Sequence, residues 1–441
     1  MLPMRLSGTF VVVAVTITMS TYASGGPVAG RSRHEPAAPG QPVTLAQAPA
    51  ALQAVVRRSL APQGDAAFQQ AELAAKDATT DDRFGWSVAL SGTTALIGAP
   101  YRHSSRGAAY VFVRSGTGWS QQAELTAKDA ASGDGFGFSV ALSGATALIG
   151  APYKSSSMGI AYVFVRSGTS WSQQAELAAS GAAAGDNFGR AVALSSGTAL
   201  IGAPGRNSSR GAASVFVQSA ASWKQQAELT AKDAATGARF GRSVALSGTT
   251  ALIGTPGNNP PGSPTRLTGS PSKSLSMGAA YVFVRAGASW SQQAELTAKD
   301  AAAGDEFGSS VSLSGSTALI GALYKNLSRG AAYVFVRSGT TWNQKVELTA
   351  NNAAINGYFG SAVSLSGATA LISAVGQGKF TGAAYVFVLT GAGWSQHAEL
   401  VGSDAVSNDF FGWSVAVSAT AALIGAPDKD TSKGSVYVFA P

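Results

Sequence analysis

Acidic side chains that could hold a cation recur along this chain at regular intervals. Lys-Asp pairs stand at Lys76-Asp77, Lys128-Asp129, Lys232-Asp233 and Lys299-Asp300. A second acid follows at Asp82, Asp134, Asp186, Asp305 and Asp409. Repeated carboxylates could bind a metal ion or a basic partner. Aspartate also accepts backbone N–H bonds in turns, and a residue repeated in almost every unit is more typical of that structural role. We therefore interpret these acids as turn residues.

A less regular set of residues lies in the polar loops that follow each Gly-Ala-Pro or its equivalent. Tyrosine beside lysine or arginine provides an aromatic platform and cationic donors for an acidic or sugar ligand. The candidate ligand-binding residues are Tyr101, Arg102, Tyr153, Lys154, Arg206, Tyr324, Lys325 and Lys379. The alternative interpretation is a set of solvated loop tips without a ligand.

Tryptophan recurs once per unit and could be taken for a sugar-stacking residue. The recurrent positions are Trp119, Trp171, Trp223, Trp290, Trp342 and Trp394. One fixed position per unit favours a packing role instead. Trp86 and Trp413 differ, because they follow a Phe-Gly pair in two of the units only.

Composition excludes several kinds of chemistry. The chain has 441 residues, no cysteine, three histidines and a net charge of +8. Without cysteine there is no disulfide framework, cysteine-ligated metal or thiol nucleophile. No run of Lys or Arg concentrates the positive charge, so nucleic-acid binding is not predicted.

The first 65 residues read as an export signal and a linker. In residues 1–23, Arg5 precedes the apolar run Thr9–Met19, and Thr21-Tyr22-Ala23 offers a cleavage site,. That run is shorter than the roughly 20 residues that span a bilayer. We expect a secreted, extracellular or cell-surface protein with no stable membrane span after signal removal. A periplasmic location and a retained anchor are the alternatives. Residues 24–65 are rich in Pro, Ala and Gly, which predicts a disordered linker,.

Internal repetition determines the predicted fold. Phe-Gly recurs every 52 residues, except for one spacing of 67, beginning at Phe84, Phe136, Phe188, Phe240, Phe307, Phe359 and Phe411. These seven repeats place the folded domain at residues 66–441. The longer fourth repeat contains a Pro/Gly/Ser-rich insertion at 257–276, with Arg266 and Lys273. A loop of that length is either functional or disordered.

Each repeat accommodates four short strands. In the second repeat we predict them at Phe136–Leu142, Ala147–Gly150, Ile160–Arg166 and Trp171–Ala178,. Four strands in about 50 residues, repeated, predict an all-β fold, a seven-bladed β-propeller of four-stranded blades. A fourth-strand fragment at 68–73 begins the domain, and a third strand ends it. The N-terminal strand should therefore complete the last blade and close the ring.

The motifs Phe84-Gly85…Gly98-Ala99-Pro100 and Phe136-Gly137…Gly150-Ala151-Pro152 resemble the FG-GAP repeats of the integrin α-subunit propeller, and in particular their bacterial branch. The resemblance covers residues 66–441 and implies a propeller with a role in protein binding or adhesion. Integrin blades carry an acidic calcium loop between their first and second strands. Here that connection is Ser91-Gly92-Thr93-Thr94, without a carboxylate. We therefore expect no calcium of that type, no other metal and no cofactor.

Two propeller enzymes share weak features with the chain. Ser115–Trp119 resembles the Asp-box of sialidases but lacks its aspartate, and no triad of arginines with a Tyr/Glu pair is visible in the sequence. Ala231–Gly237 resembles a docking motif of quinone-dependent dehydrogenases, whose matching tryptophan is missing from most repeats. The sequence therefore predicts a secreted, non-enzymatic binding or adhesion propeller that recognises an extracellular protein or surface glycan through its loop-rich rim. The alternatives are a structural cell-surface or matrix component without a discrete ligand, and a glycosidase or quinone-dependent dehydrogenase.

Overall fold

The computed structural model describes residues 69–258 and 276–440. In these residues every repeat forms one antiparallel four-stranded sheet, and seven such sheets form a seven-bladed β-propeller, as predicted. Blades are numbered 1 to 7 in chain order. The predicted signal at 1–23, the linker at 24–65 and most of the insertion at 257–276 lie outside the described residues.

The first strand of each blade is the innermost one, because first strands of adjacent blades contact each other around the whole ring, the seventh contacting the first. These strands are β2 (Ser87–Ser91), β6 (Ser139–Ser143), β10 (Ala191–Ser195), β14 (Ser243–Ser247), β18 (Ser310–Ser314), β22 (Phe359–Ser366) and β26 (Ser414–Val417). In blade 2 the strand begins three residues later than predicted, whereas β22 of blade 6 begins at the phenylalanine of its Phe-Gly pair.

The two middle strands of each blade form its apolar centre and are almost fully buried. The second strands are β3 (Thr94–Ala99), β7 (Thr146–Ala151), β11 (Thr198–Ala203), β15 (Thr250–Thr255), β19 (Thr317–Ala322), β23 (Thr369–Ala374) and β27 (Ala422–Ala426). The third strands are β4 (Ala108–Ser115), β8 (Ile160–Ser167), β12 (Ala212–Ser219), β16 (Ala279–Ala286), β20 (Ala331–Ser338), β24 (Ala383–Thr390) and β28 (Ser435–Phe439). Such strands lack polar alternation because each sheet is covered on both faces by its neighbours.

The outer strands of blades 1 to 6 are half-exposed. They are β5 (Gly118–Leu125), β9 (Ser170–Leu177), β13 (Ser222–Leu229), β17 (Ser289–Leu296), β21 (Thr341–Leu348) and β25 (Gly393–Leu400). Blade 7 takes its outer strand from the start of the domain, since β1 (Gln69–Leu73) pairs antiparallel with β28. Leu73 is buried and packs in one apolar cluster with Phe84 and Val436. The pairing of the N-terminal strand with blade 7 confirms the predicted closure of the ring.

The Phe-Gly and Gly-Ala pairs are explained by contacts between adjacent blades. Phe84 is fully buried and packs edge-on against Tyr110 of its own blade, with ring centroids 5.5 Å apart. Its backbone N–H donates to the Lys433 carbonyl of blade 7 at 2.9 Å. A Cβ atom on Gly98 of blade 1 would lie 2.0 Å from the carbonyl oxygen of Gly137 in blade 2. Glycine permits that approach of two backbones in six blades, whereas blade 6 has Ser373 at the same position. The motif therefore sets the spacing between blades.

The loop-rich rim of the propeller carries the second–third and fourth–first connections, because strand direction alternates. Six second–third connections contain a four-residue helical turn: α1 (Arg102–Ser105), α2 (Lys154–Ser157), α3 (Arg206–Ser209), α4 (Lys325–Ser328), α5 (Gln377–Phe380) and α6 (Lys429–Ser432). Within α1, His103 and Ser104 have left-handed φ values of 48° and 59°, a conformation that costs roughly 1–2 kcal/mol per residue. The Ser104 carbonyl accepts a hydrogen bond from Gly133 N in the next blade at 3.1 Å, which helps to hold the turn. No helix in the described residues is long and apolar enough to cross a membrane.

Candidate functional site

The candidate cation Arg102 lies inside blade 1 rather than at a solvated loop tip. Its side chain is buried, and Nη1 donates to Asp82 Oδ2 at 2.8 Å. It also forms ion pairs with Asp77 and with Glu124, the latter at 3.1 Å between Nε and Oε1. The Asp77 carboxylate accepts a further hydrogen bond from the hydroxyl of buried Tyr110. Three carboxylates therefore surround one guanidinium.

The same arrangement recurs in other blades. The ion-paired N···O distances are Lys154–Asp129 2.9 Å, Arg206–Asp186 2.9 Å, Lys325–Asp300 2.6 Å and Lys429–Asp404 2.7 Å. Burial alone would raise the pKa of Asp129, but hydrogen bonds from Lys154 and Tyr162 hold that pKa below its usual value. These clusters connect the loops of a blade to its middle strands.

A cation at the Arg102 position occurs in the same blades as an aspartate at the Asp82 position. Five blades carry this aspartate, and each of them has Lys or Arg at the Arg102 position. In blade 4 the two positions are Ala238 and Asn258, and in blade 6 they are Gly357 and Gln377. Where the acid is absent, the cation is absent too. Pairing with carboxylates inside the blade therefore accounts for the presence of a cation at Arg102, Lys154, Arg206 and Lys325 without a ligand. The ligand-binding role of these four residues stays a prediction.

The recurrent acids have the turn geometry that the sequence suggested. Asp82 Oδ2 accepts a hydrogen bond from Thr79 N at 2.8 Å. Asp134, Asp186, Asp305 and Asp409 accept the corresponding backbone bond at 2.8–2.9 Å. In the described residues no group of three or more His, Asp or Glu side chains is arranged to hold a metal ion.

The recurrent tryptophans pack between blades. Trp171 lies in the apolar cluster between blades 1 and 2, and its Nε1 donates to Gln122 Oε1 of blade 1 at 3.1 Å. Trp223, Trp290 and Trp342 make the equivalent bond at 3.0–3.1 Å. Gln122 can reach across because a β-bulge interrupts the pairing of β4 with β5 next to it. The packing interpretation is therefore confirmed for these residues.

Three positions per repeat differ from blade to blade, although the strands between them are nearly identical. The residue before Phe-Gly is Arg83, Gly135, Asn187, Arg239, Glu306, Tyr358 and Phe410 in blades 1 to 7. The residue after Phe-Gly is Trp86, Phe138, Arg190, Arg242, Ser309, Ser361 and Trp413. The residue after Gly-Ala-Pro or its equivalent is Tyr101, Tyr153, Gly205, Gly257, Tyr324, Gly376 and Asp428. We call the residues at these three positions in all seven blades the channel-mouth residues. They lie on the loop-rich rim, near the ends of the innermost strands that surround the central channel of a propeller.

On blades 5, 6, 7, 1 and 2 the channel mouth is aromatic. Trp86 contacts Trp413, Tyr101 and Phe138 with ring centroids 4.7, 5.2 and 5.4 Å apart. Further ring contacts of 5.2–6.2 Å extend this aromatic arc in both directions, through Tyr153 on one side and Phe410, Phe380, Tyr358 and Tyr324 on the other. Tyr324 is 41% and Trp413 38% exposed. The candidates Tyr101, Tyr153 and Tyr324 therefore belong to one surface, whereas Lys379 is an exposed residue of α5.

On blades 3 and 4 the channel mouth is basic. Arg190, Arg239 and Arg242 line one cavity of about 340 Å³, together with Asn187 and Gly205. The guanidinium of Arg190 lies 4.5 Å from the centroid of the Phe138 ring and donates to the Tyr153 hydroxyl at 3.3 Å. Burial lowers the pKa of Arg242 to about 10, and the charges of Arg190 and Arg239 act in the same direction.

No run of arginines stands in the sequence, yet the structure brings three arginines together. Arg190 and Arg242 are 52 residues apart and occupy the same repeat position in adjacent blades. Propeller geometry places such positions side by side. Aligning the seven repeats and reading the positions that differ would have revealed the group.

A family model described as FG-GAP repeat matches seven segments of the chain, which together cover more than half of its length. They are residues 68–112, 119–164, 171–216, 223–283, 290–335, 342–387 and 394–439. A search of curated proteins found no match.

Proposed function

Because the chain belongs to the FG-GAP repeat family, we propose that it is a non-enzymatic recognition propeller that binds an extracellular protein or glycan through its loop-rich rim. The contact surface consists of the channel-mouth residues, with the aromatic arc as its largest part. The family membership supports a binding or structural role, and the channel mouth is the feature that favours binding.

The observation that carries this proposal is the pattern of variation among the seven repeats. The second strands read Thr-Ala-Leu-Ile-Gly-Ala in four of seven blades, and their side chains fill the interblade core. The channel-mouth positions, in contrast, hold Trp, Phe, Arg or Ser at equivalent places. Since Ser309 and Ser361 satisfy the fold in blades 5 and 6, folding does not require Trp86 or Trp413.

The residue types at the channel mouth also fit a binding surface. Tyrosine, tryptophan and arginine are enriched at protein–protein interfaces. Tyrosine and tryptophan provide large contact areas with few rotatable bonds, and arginine provides a planar fork of hydrogen-bond donors. Here they surround the end of a rigid ring, on loops held by hydrogen bonds between blades. Recognition on loops of a rigid scaffold is a common arrangement.

We further propose that the protein is exported, on the basis of the signal-like residues 1–23,. A binding surface for extracellular ligands requires such a location. The two proposals are separable, because secretion is measured by fractionating the producing cells, and binding is measured with purified protein.

The test is binding of the purified full chain to an array of glycans and extracellular proteins. The variant carries Trp86→Ser and Trp413→Ser, because serine occupies the same position in blades 5 and 6. Gly118→Ser on the opposite rim is the matched control, since serine occupies that position in β9. A hit that the tryptophan variant loses and the control keeps supports the proposal. A hit that both variants keep refutes the rim assignment, and silence across the array favours a structural component without a discrete ligand.

A further inference from the structure

Three arginines at the channel mouth lack the carboxylate partners that the turn cations Arg102, Lys154, Arg206, Lys325 and Lys429 have. In the part of the chain that the structure describes, Arg190, Arg239 and Arg242 form no ion pair. The Nε atom of Arg190 is buried without a hydrogen-bond partner. An arginine presents five N–H donors, so most of the donors in this group are unused.

Leaving a buried charge unpaired is unfavourable, and the turn cations of the chain avoid it. The turn cations of blades 1, 2, 3, 5 and 7 all contact carboxylates. At the channel mouth, partial burial and two like charges act on Arg242 together. Unpaired, partly desolvated charges are typical of binding sites, where a ligand supplies the missing partner.

Among the residues that the structure describes, no acid pairs with these arginines. Glu306 is the acid that acts electrostatically on Arg239 and Arg242, but it forms no ion pair with either among the described residues. The insertion that follows Asn258 contains no Asp or Glu through residue 275. The counter-charge must therefore come from outside this part of the chain.

The three arginines border a cavity of suitable size. At the position after Gly-Ala-Pro, blades 1 and 2 have tyrosine, whereas blade 3 has Gly205, which lines the cavity. The volume of about 340 Å³ lies at the lower end of the range for small-ligand pockets,. Asn187 and Ser209 add an amide and a hydroxyl to the lining, which are suited to sugar hydroxyls.

We propose that this cavity, which we call the arginine pocket, binds the carboxylate of an acidic sugar residue in a glycan. The inference deepens the proposed function and rests on it, since the pocket forms part of the same rim. A guanidinium binds a planar carboxylate through two parallel hydrogen bonds. The hydroxyls of the sugar ring pair with Asn187 and Ser209, and the rest of the glycan lies over the aromatic arc. An acidic peptide offers the same carboxylate but no ring hydroxyls.

The experiment measures binding of the full chain to oligogalacturonate, a neutral galactan oligomer and polyglutamate by calorimetry. We expect oligogalacturonate to bind, the neutral oligomer not to bind, and polyglutamate to bind at least tenfold more weakly. Arg190→Ser and Arg242→Ser should each weaken oligogalacturonate binding about 10- to 100-fold. Serine at this position is compatible with folding, as Ser309 and Ser361 show.

Thermal unfolding of each variant separates a binding defect from a folding defect. Because Arg242 carries an unpaired charge, Arg242→Ser should leave the unfolding temperature unchanged or raise it. Arg206→Gln is the matched control, since it removes an arginine that pairs with Asp186, and it should lower that temperature. A decrease for Arg242→Ser as large as that for the control would overturn the assignment of an unpaired site.

Three binding results would overturn the arginine pocket. The first is oligogalacturonate binding that neither serine variant weakens, and the second is no binding of oligogalacturonate at all. The third is polyglutamate binding as tightly as the glycan, which would make the ligand an acidic peptide. In each case an array ligand that is lost with the Trp86 and Trp413 variant would still support the proposed function, so failure of the arginine pocket and failure of the proposed function are distinguishable.

Discussion

Charge compensation within a blade can be tested by giving blade 1 the residues of blade 4. Asp82 and Arg102 correspond to Ala238 and Asn258. Arg102→Asn alone leaves the Asp82 carboxylate, which is 3% exposed, without the guanidinium 2.8 Å away. Breaking a buried ion pair in this way costs about 3–5 kcal/mol of the free energy of unfolding. Asp82→Ala alone should cost less, since Arg102 keeps two other carboxylates.

The double variant removes both buried charges, so we expect it to be more stable than Arg102→Asn by about 2 kcal/mol. The assay is equilibrium urea unfolding of wild type, both single variants and the double variant, followed by tryptophan fluorescence. A double-mutant cycle then gives a coupling energy of about 2–3 kcal/mol. Lys379→Asn, at an exposed cation without an ion pair in the described residues, should change stability by less than about 0.5 kcal/mol. Strictly additive effects of Arg102→Asn and Asp82→Ala would refute the reasoning.

Three further outcomes follow from the fold. Deleting residues 1–74 should lower the free energy of unfolding by about 5 kcal/mol or more, because the pairing of β1 with β28 and the burial of Leu73 are lost,. Deleting residues 1–65 should not lower it. Thermal unfolding of the two deletion variants tests this difference. Gly98→Ala should cost about 1–3 kcal/mol, since its Cβ would meet a carbonyl oxygen at 2.0 Å and the backbone of blade 2 would have to shift as blade 6 allows for Ser373,. Gly118→Ala, where the nearest atom is 3.8 Å away, should be nearly neutral when both variants are compared by urea unfolding. The pKa of Asp129 is lowered in the folded protein. The contribution of this carboxylate to stability is therefore present above its unfolded pKa of 3.8 and is lost as the pH falls below that value. Unfolding temperatures that do not fall between pH 5 and pH 2 would contradict this.

The fold could be predicted from the sequence because its signal is repeated seven times. The 52-residue spacing defines the blade, and the isolated fragment at 68–73 defines the closure. Strand ends were less predictable. The sequence predicts that the first strand of blade 2 begins at Phe136, but it begins at Ser139, while the equivalent strand of blade 6 does include Phe359. Where this strand begins therefore differs between blades of nearly the same sequence. The β-bulge beside Gln122 also has no clear signal in the sequence, since it depends on the reach to Trp171 in the next blade.

The candidate site was harder to predict because single-repeat motifs do not show which side chains meet. Tyr-Arg and Tyr-Lys pairs were treated as units, yet the tyrosine and the cation belong to different environments. Tyr101 lies in the aromatic arc, while Arg102 points into the blade toward acids that lie 20 and 25 residues earlier in the chain. The spacing of those acids was visible, and so was the absence of the cation from blades 4 and 6. Reading the two patterns together would have assigned the cations to the blade interior.

Because the seven repeats are nearly identical, comparing one position across the blades shows which residue types the fold accepts there. Blades 5 and 6 fold with serine after Phe-Gly, so that position has no packing requirement for a large or charged side chain. Blades 1, 2 and 7 nevertheless place aromatic rings there, and blades 3 and 4 place arginines whose mutual repulsion opposes folding. Residues that the fold does not need, and that in the case of Arg242 act against it, are expected at a binding surface. A purely structural propeller would have no reason to hold three unpaired arginines around one cavity. The distribution of residues among the blades therefore favours recognition over a structural role.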